Sequence, residues 1–317
     1  MTRPADHANR PSPLIGIVGP TASGKTDLAL AVAARLSVEI LVADSRQVYR
    51  GMDVGTAKPD PAARASVPHH LLDVADPDEA FTVAQWVELA RALIPAVADR
   101  GRLPMIVGGT GLYVSALLDG HDYAAQPWSP ELKARLADEL AAEGLEPLAA
   151  RLAATNPAAA EQIDLRNPRR VLRALERSEA GGGGVVPSSD PYGGRVALLG
   201  ISRPREVLYR RIDERAAHLF ASGLLDEVRA LLAAGYVPEL RPMSGHGYRE
   251  AIRHLAGEWS LEQAVEVTAR RTRQYAKRQL TWFRRDPRIL WVAAGDEPAD
   301  EPHVVARADR LLRAALS

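Results

Sequence analysis

The stretch Leu14-Ile-Gly-Ile-Val-Gly-Pro-Thr-Ala-Ser-Gly-Lys-Thr26 is a short aliphatic run that opens directly onto a glycine-containing turn. The run predicts a buried strand. Asp27 to Leu36, with Leu28, Val32 and Leu36 four residues apart, predicts a helix with one apolar face. Gly19, Gly24, Lys25 and Thr26 satisfy G-x-x-x-x-G-K-[ST] in the strand-turn-helix setting the motif requires. Its spacing has a mechanical reason: the glycines let the backbone wrap until several N–H groups point at one anion, the helix N-terminus adds positive potential, and the lysine reaches the outer phosphate. Gly19, Pro20, Thr21, Ala22, Ser23, Gly24, Lys25 and Thr26 are therefore expected to bind a di- or triphosphate, with the Thr26 hydroxyl on a magnesium ion, Mg2+.

The alternation continues outward. Val38 to Ala43 reads as a second strand ending at Asp44, Thr82 to Ala98 as a helix, and Leu103 to Val107 and Val196 to Ile201 as further strands. This pattern predicts an α/β fold, a P-loop-type parallel sheet flanked by helices, with an inserted helical lobe. The insertion is expected at 121–195, where the sequence turns alanine-rich, Ser129-Pro130 makes a helix start, and Ala180 to Gly194 is a flexible low-complexity loop. The core then comprises 14–120 and 196–317, behind a disordered tail at 1–13. Its second half holds a helix from Pro204 that pauses at Gly223 and stops at Gly235. A helix with a Ser260/Gln263 capping box then runs to Phe283, and Ile289 to Val292 reads as a final strand.

Composition narrows the class. In 317 residues, 40 Lys and Arg balance 40 Asp and Glu, which argues against a uniformly basic nucleic-acid binder but leaves local patches open. The absence of cysteine excludes disulfides, thiolate metal sites and cysteine nucleophiles. Residues Met1 to Pro13 are polar and proline-broken, unlike a secretory signal, and the apolar runs fall short of the roughly 20 residues a bilayer helix needs. A cytoplasmic protein with no membrane contact is expected.

Asp44 ends a strand at the carboxyl edge of the sheet, where open α/β folds bind ligands. It fits a magnesium-organising aspartate, a general base, or a solvated strand-end residue. Gly108-Gly-Thr110 projects from the same edge. Arg211, Arg215 and His218 share one face of the helix after Pro204. Projected at 100° per residue, Arg270, Arg271, Arg273, Lys277, Arg278, Arg284 and Arg285 fall within an arc of about 160° on the last long helix, opposite Leu261, Val265, Thr272, Ala276 and Phe283. Such a face suits a phosphodiester backbone or plain solvation. His69 and His70 lack a second ligand cluster at zinc-like spacing and are expected at a pocket rim.

Gly19-Pro-Thr-Ala-Ser-Gly-Lys-Thr26, Asp44-Ser45, Gly51-Met-Asp-Val-Gly-Thr-Ala-Lys-Pro59, His70-Leu-Leu-Asp73, Gly108-Gly-Thr110, Gly247-Tyr-Arg-Glu250 and Thr272-Arg-Gln-Tyr-Ala-Lys-Arg-Gln-Leu-Thr-Trp282 stand in one order. Together they resemble the tRNA dimethylallyltransferase (tRNA isopentenyltransferase) family. The lack of a zinc-finger segment resembles its bacterial form. The resemblance implies transfer of a dimethylallyl group from dimethylallyl diphosphate to the exocyclic amino nitrogen of the adenosine 3′ of the anticodon, with release of diphosphate. It implies Asp44 as general base, Thr110 orienting the target nucleotide, and Arg215 on the diphosphate.

For tRNA binding the resemblance points to Asp44, Ser45, Arg46, Gln47, Thr110, Lys133, Arg169, Arg170 and Arg173, and the basic face of the last long helix adds Arg273, Lys277 and Arg278. The insertion is expected to clamp the anticodon stem-loop, and a monomer is the simplest arrangement; Tyr49 or Phe81 either stacks on the everted base or is a core aromatic, the latter reading being favoured for Phe81. One departure stands out: Ser178 to Pro187 replaces the threonine-glycine turn usual after the last helix of the insertion. The rival is a P-loop small-molecule kinase or NTPase with Asp44 on magnesium. Such a protein often carries an acid where this chain has Gly108-Gly-Thr110.

Overall fold

The computed structural model describes residues 11–120, 129–181 and 190–316. Residues 1–10 of the tail expected at 1–13, and 182–189 of the Ala180–Gly194 loop, lie outside the described residues. Six strands, β1 (Leu14–Val18), β2 (Val38–Val42), β3 (His69–His70), β4 (Leu103–Gly108), β5 (Val196–Ser202) and β6 (Ile289–Ala293), form one sheet in the order β3-β2-β4-β1-β5-β6. Every pairing is parallel. Parallel strands need crossovers, and the helices that supply them cover the faces of the sheet.

The helices are α1 (Lys25–Ala33), α2 (Pro61–Ser66), α3 (Val83–Asp99), α4 (Gly111–Asp119), α5 (Pro130–Glu143), α6 (Leu145–Thr155), α7 (Pro157–Glu161), α8 (Pro168–Glu179), α9 (Arg205–Ala221), α10 (Leu224–Ala233), α11 (Tyr248–Leu255), α12 (Leu261–Phe283) and α13 (Pro302–Leu316). Ile15 and Ile17 of β1, Ile40 and Val42 of β2, Met105 and Val107 of β4 and Leu199 and Ile201 of β5 alternate onto one sheet face. There they join Leu28, Ala29 and Val32 of α1 and Val304, Val305, Ala308 and Leu312 of α13 in a single core. The sequence signals at several helix starts are realised. Thr82 and Ser260 form capping boxes with Gln85 and Gln263, and Ser129 accepts the Leu132 N–H.

The chain separates into two compact units, 1–114 with 193–317, and 115–192. The boundary falls at 114/115, inside α4, a few residues before the expected residue 121. Within the smaller unit, Leu136, Leu148, Leu152, Val171, Ala174 and Leu175 from α5, α6 and α8 make a separate core. The two ends of that unit meet: Tyr192 N–H donates to the Leu118 carbonyl at 3.0 Å. A Cβ on Gly120 would lie 2.1 Å from the Asp190 backbone. Among the described residues no helix is long and apolar enough to cross a membrane.

Glu39 points off β2 with only 3% of its surface exposed. The Arg100 guanidinium, 2.5 and 2.9 Å away, and His70 at 2.6 Å hold it. The hydrogen bonds from Arg100 lead in pulling its carboxyl down to about 2, against the opposing effect of burial. A lowered folded-state value contributes stability above the unfolded pKa that is lost as pH falls through the folded one. The thermal midpoint is therefore predicted to drop between pH about 4.5 and about 2. Glu39→Gln should be less stable at neutral pH and lose less across that window; an acid-unfolding profile unchanged by the substitution would refute the assignment.

Candidate active site

The order of the sheet lines up three chain segments. β4 lies between β2 and β1, so Asp44, the Gly108-Gly109-Thr110 turn and the phosphate loop leave neighbouring strands at one edge. Asp44, Gly108 and Gly109 of the turn, and Thr21, Ala22, Gly24, Lys25 and Thr26 of the loop line one cavity of about 780 Å³, together with Arg211, Arg215, His246 and Tyr275.

The phosphate loop is held open from behind. Gly19 and Gly24 have φ of +146° and +94°, where side chains are strained, and a Cβ on Gly24 would also lie 2.6 Å from that of Ala299. Arg203 Nε donates to the Ser23 carbonyl at 2.8 Å, and Arg211 Nε donates to that of Ala22 at 3.1 Å. Arg203 also donates to the carbonyls of Gly295 and Glu297, at 3.0 and 2.7 Å. With outward carbonyls occupied by guanidinium groups and no side-chain cap at Gly24, the N-terminal N–H groups of α1 remain available to an anion.

Lys25 Nζ donates to the Pro20 carbonyl at 2.8 Å. Burial pushes its pKa down to about 8; Asp44 opposes that shift, and Arg215 adds to it. Burial likewise lowers the pKa of Arg215, with Asp44 and Asp27 acting against it. Lys25, Arg215 and Asp44 thus form one electrostatic group. Asp44 Oδ1 accepts the Arg46 N–H at 2.9 Å, and Thr110 Oγ1 accepts the Ser45 N–H at 2.9 Å. Tyr275, hydrogen-bonded to Thr110, has its hydroxyl pushed up to about 12 by burial and by Asp44. Burial also drives His246 down to about 4, with Arg271 adding to the shift, and its ring lies 5.4 Å from that of Tyr275.

The remaining candidates are more dispersed. Thr26 is exposed in the first turn of α1. Arg46 donates to the carbonyls of Arg241 and Pro242, at 2.6 and 3.4 Å, and Gln47 donates to those of Thr56 and Ala57, both at 3.1 Å. Lys277 and Arg278 are exposed on α12, whereas Arg273 is ion-paired with Asp213. In the helical unit Lys133, Arg169 and Arg170 are exposed, and Arg173 pairs with Glu176 at 2.6 Å.

Three expectations are corrected. Arg271 does not belong to an outward basic face: it binds the fully buried Glu250, because α12 packs on both α9 and α11 and only part of its circumference meets solvent. Leu261, placed on the core side by projection, is 45% exposed. Tyr49 and Phe81 are buried in the core, at 3% and 8% exposure, and cannot stack on a base from there. His69 does line the cavity, while His70 is engaged with Glu39.

Reasoning from sequence passed over three residues that shape the site. Arg203 carried no local signal. Glu227 accepts the N–H groups of Asp53, Val54 and Gly55 at 2.6 to 3.1 Å and the Tyr248 hydroxyl at 2.5 Å, fixing the 51–59 loop that walls the cavity. Gln279 left a trace, a polar residue in register with Thr272, Ala276 and Phe283 on the inner face of α12.

Fold and site define a phosphate-loop α/β protein whose cavity joins an anion cradle to a carboxylate. The IPP transferase family model matches residues 47–286, and an isopentenyl transferase model matches residues 13–73. A tRNA dimethylallyltransferase of Roseiflexus castenholzii is 46% identical over 308 residues, covering 95% of this chain and 97% of the relative. One from Geobacter metallireducens is 47% identical over 287 residues, covering 88% and 92%. The full-length tRNA isopentenylpyrophosphate transferase of Bacillus halodurans has a similar structure, with a TM-score of 0.72 and 37% identity over 96% of this chain and 97% of that one. A eukaryotic dimethylallyltransferase acting on tRNA shares the fold, with a TM-score of 0.78 at 24% identity over 94% and 77% of the two chains. The chain belongs to the tRNA dimethylallyltransferase family.

The lysine of the cradle is charged below about pH 8 and neutral above it. Binding of an alkyl diphosphate to the free protein is therefore predicted to weaken as pH rises through about 8, and Lys25→Arg should flatten that limb. A wild-type affinity that stays level across this range would contradict the placement of Lys25 against the anion.

Proposed function

We propose that this protein transfers a dimethylallyl group from dimethylallyl diphosphate to the exocyclic amino nitrogen of the adenosine 3′ of the anticodon in tRNA, releasing diphosphate. The observation that carries this reading is the shared cavity in which Lys25, Arg215 and Asp44 form one electrostatic group beside an open anion cradle. As the allylic C–O bond breaks, negative charge grows on the bridging oxygen. The N-terminal N–H groups of α1, Lys25 and Arg215 are oriented beforehand to stabilise it.

The amino lone pair of adenine is delocalised into the ring, so nitrogen must lose a proton as it attacks. Asp44 accepts that proton, and the Thr110 hydroxyl orients the base. The base must leave its stack to enter the cavity, and contacts to the RNA backbone offset that cost. Lys277 and Arg278 on the core, with Lys133, Arg169 and Arg170 on the helical unit, are exposed cations suited to those contacts. Arg173 and Arg273 could join them only by exchanging Glu176 and Asp213 for phosphate.

Magnesium suits the residues present. Thr26 offers one exposed hydroxyl at the mouth of the cradle, and the described residues hold no cluster of three acidic or histidine ligands. A hydroxyl oxygen of that kind is a hard donor that would suit magnesium. Such an ion supplies charge neutralisation on the leaving group. A small-molecule kinase or NTPase is disfavoured by Gly108-Gly109-Thr110 at the end of β4, where an acid would often stand.

Incubation with unmodified tRNA and dimethylallyl diphosphate, beside an ATP-hydrolysis assay, tests the reading. Asp44→Asn is predicted to lower single-turnover transfer by at least about 100-fold with tRNA affinity little changed. Normal chemistry with lost affinity would assign Asp44 to binding. Lys277→Glu with Arg278→Glu should weaken tRNA binding and flatten its dependence on salt. An unaltered salt slope would remove α12 from the RNA surface.

A further inference from the structure

Gln279 is 6% exposed on α12, between Ala276 and Phe283, which are also buried. A buried primary amide is costly unless both its donor and its acceptor are satisfied. Here Oε1 accepts the Thr21 N–H at 2.8 Å and Nε2 donates to the Gly109 carbonyl at 2.8 Å. The two partners belong to different loops, one after β1 and one after β4. The fit is close on the second side: a Cβ on Gly109 would lie 2.3 Å from Nε2. The amide does not serve the anion, because the atom it turns to the phosphate loop is an acceptor, and Thr21 precedes the N-terminal N–H groups of α1.

We propose that Gln279 is a positioning residue that fixes the spacing between the phosphate loop and the Gly108-Gly109-Thr110 turn. This rests on the function proposed above and deepens it. The loop holds the leaving group and the turn holds the accepting base, so that spacing sets the gap the allylic carbon must cross. Reactions of this kind are sensitive to placement, with a 1 Å error costing roughly 100-fold. A wrong gap also has a chemical signature. If the carbon parts from diphosphate without nitrogen in line, water attacks it: a new C–O bond forms, the water loses a proton, and the products are the allylic alcohol and diphosphate. The role of Gln279 is therefore read in the ratio of diphosphate released to prenyl group placed on tRNA.

The experiment measures both products in one sample, at saturating dimethylallyl diphosphate and unmodified tRNA, for the wild type, Gln279→Glu and Gln279→Leu. Gln279→Glu keeps the acceptor for Thr21 but sets a carboxylate against the Gly109 carbonyl, and Gln279→Leu keeps the bulk without either bond. Both are expected to turn over at least about 10-fold more slowly, with donor KM near the wild-type value and diphosphate release exceeding prenyl incorporation. Fully coupled turnover in the variants, or a defect confined to donor KM, overturns the proposal. Gly109→Ala, which drives a methyl group into the amide from the other side, covers the case in which both Gln279 variants unfold. It must show the same excess of diphosphate, and coupled turnover there overturns the proposal equally. A wild-type protein that places no prenyl group on tRNA refutes the functional reading instead, before any variant is compared.

Discussion

The ligand edge of the sheet depends on how closely β2 and β4 converge at their carboxyl ends. The Ala43 carbonyl accepts the Thr110 N–H at 3.0 Å, and the Ala43 N–H donates to Val107 at 2.8 Å. A side chain on Gly108 would put its Cβ 2.0 Å from the same Ala43 oxygen, so glycine is the residue that allows the approach. Asp44 and Thr110 then leave adjacent strands side by side, and the Ser45 N–H closes the pair onto the Thr110 hydroxyl. Because β1 is the next strand over, the phosphate loop lies one further strand spacing away, roughly 5 Å.

Around that edge, charge is arranged in two layers. The inner layer is Lys25, Arg215 and Asp44, where desolvation keeps the two cations ready to gain from an incoming anion. The outer layer is structural. Arg203 and Arg211 hold loop carbonyls, Glu227 gathers the backbone of 53–55, and Lys58, its side chain 1% exposed, binds the Tyr49 carbonyl, Asp53 and Asp73. These groups spend their charge on backbone or on each other and leave the inner layer free to meet ligand.

Local signals explain what could be read from the chain in advance. The Leu14–Thr26 segment combines strand pattern, motif and helix pattern within 13 residues, and Asp44 follows a strand of uniformly buried residues. The capping box at Ser260 depends on residues three apart and is legible in the sequence; the structure adds a second, of the same spacing, at Thr82. What escaped depends on distant partners. The face Arg271 turns to depends on Glu250, and the role of Gln279 depends on two loops 170 and 258 residues away. Helix α13 is hard to read in advance because it follows a polar, proline-broken stretch, and its buried positions, Val304, Val305, Ala308 and Leu312, take their meaning from the sheet they cover.

That last helix bears on how the molecule is made. The turn leading into it supplies Gly295 and Glu297 to Arg203 and sets Ala299 against Gly24, so the back wall of the first loop is built from residues 295–299, far along the chain from the motif they support. During translation the motif emerges first and waits, its backing missing, until residues 295–299 have left the ribosome. A nascent chain would therefore gain the supported form of this loop only after that distant segment has joined it, and not from the segment that encodes the motif alone.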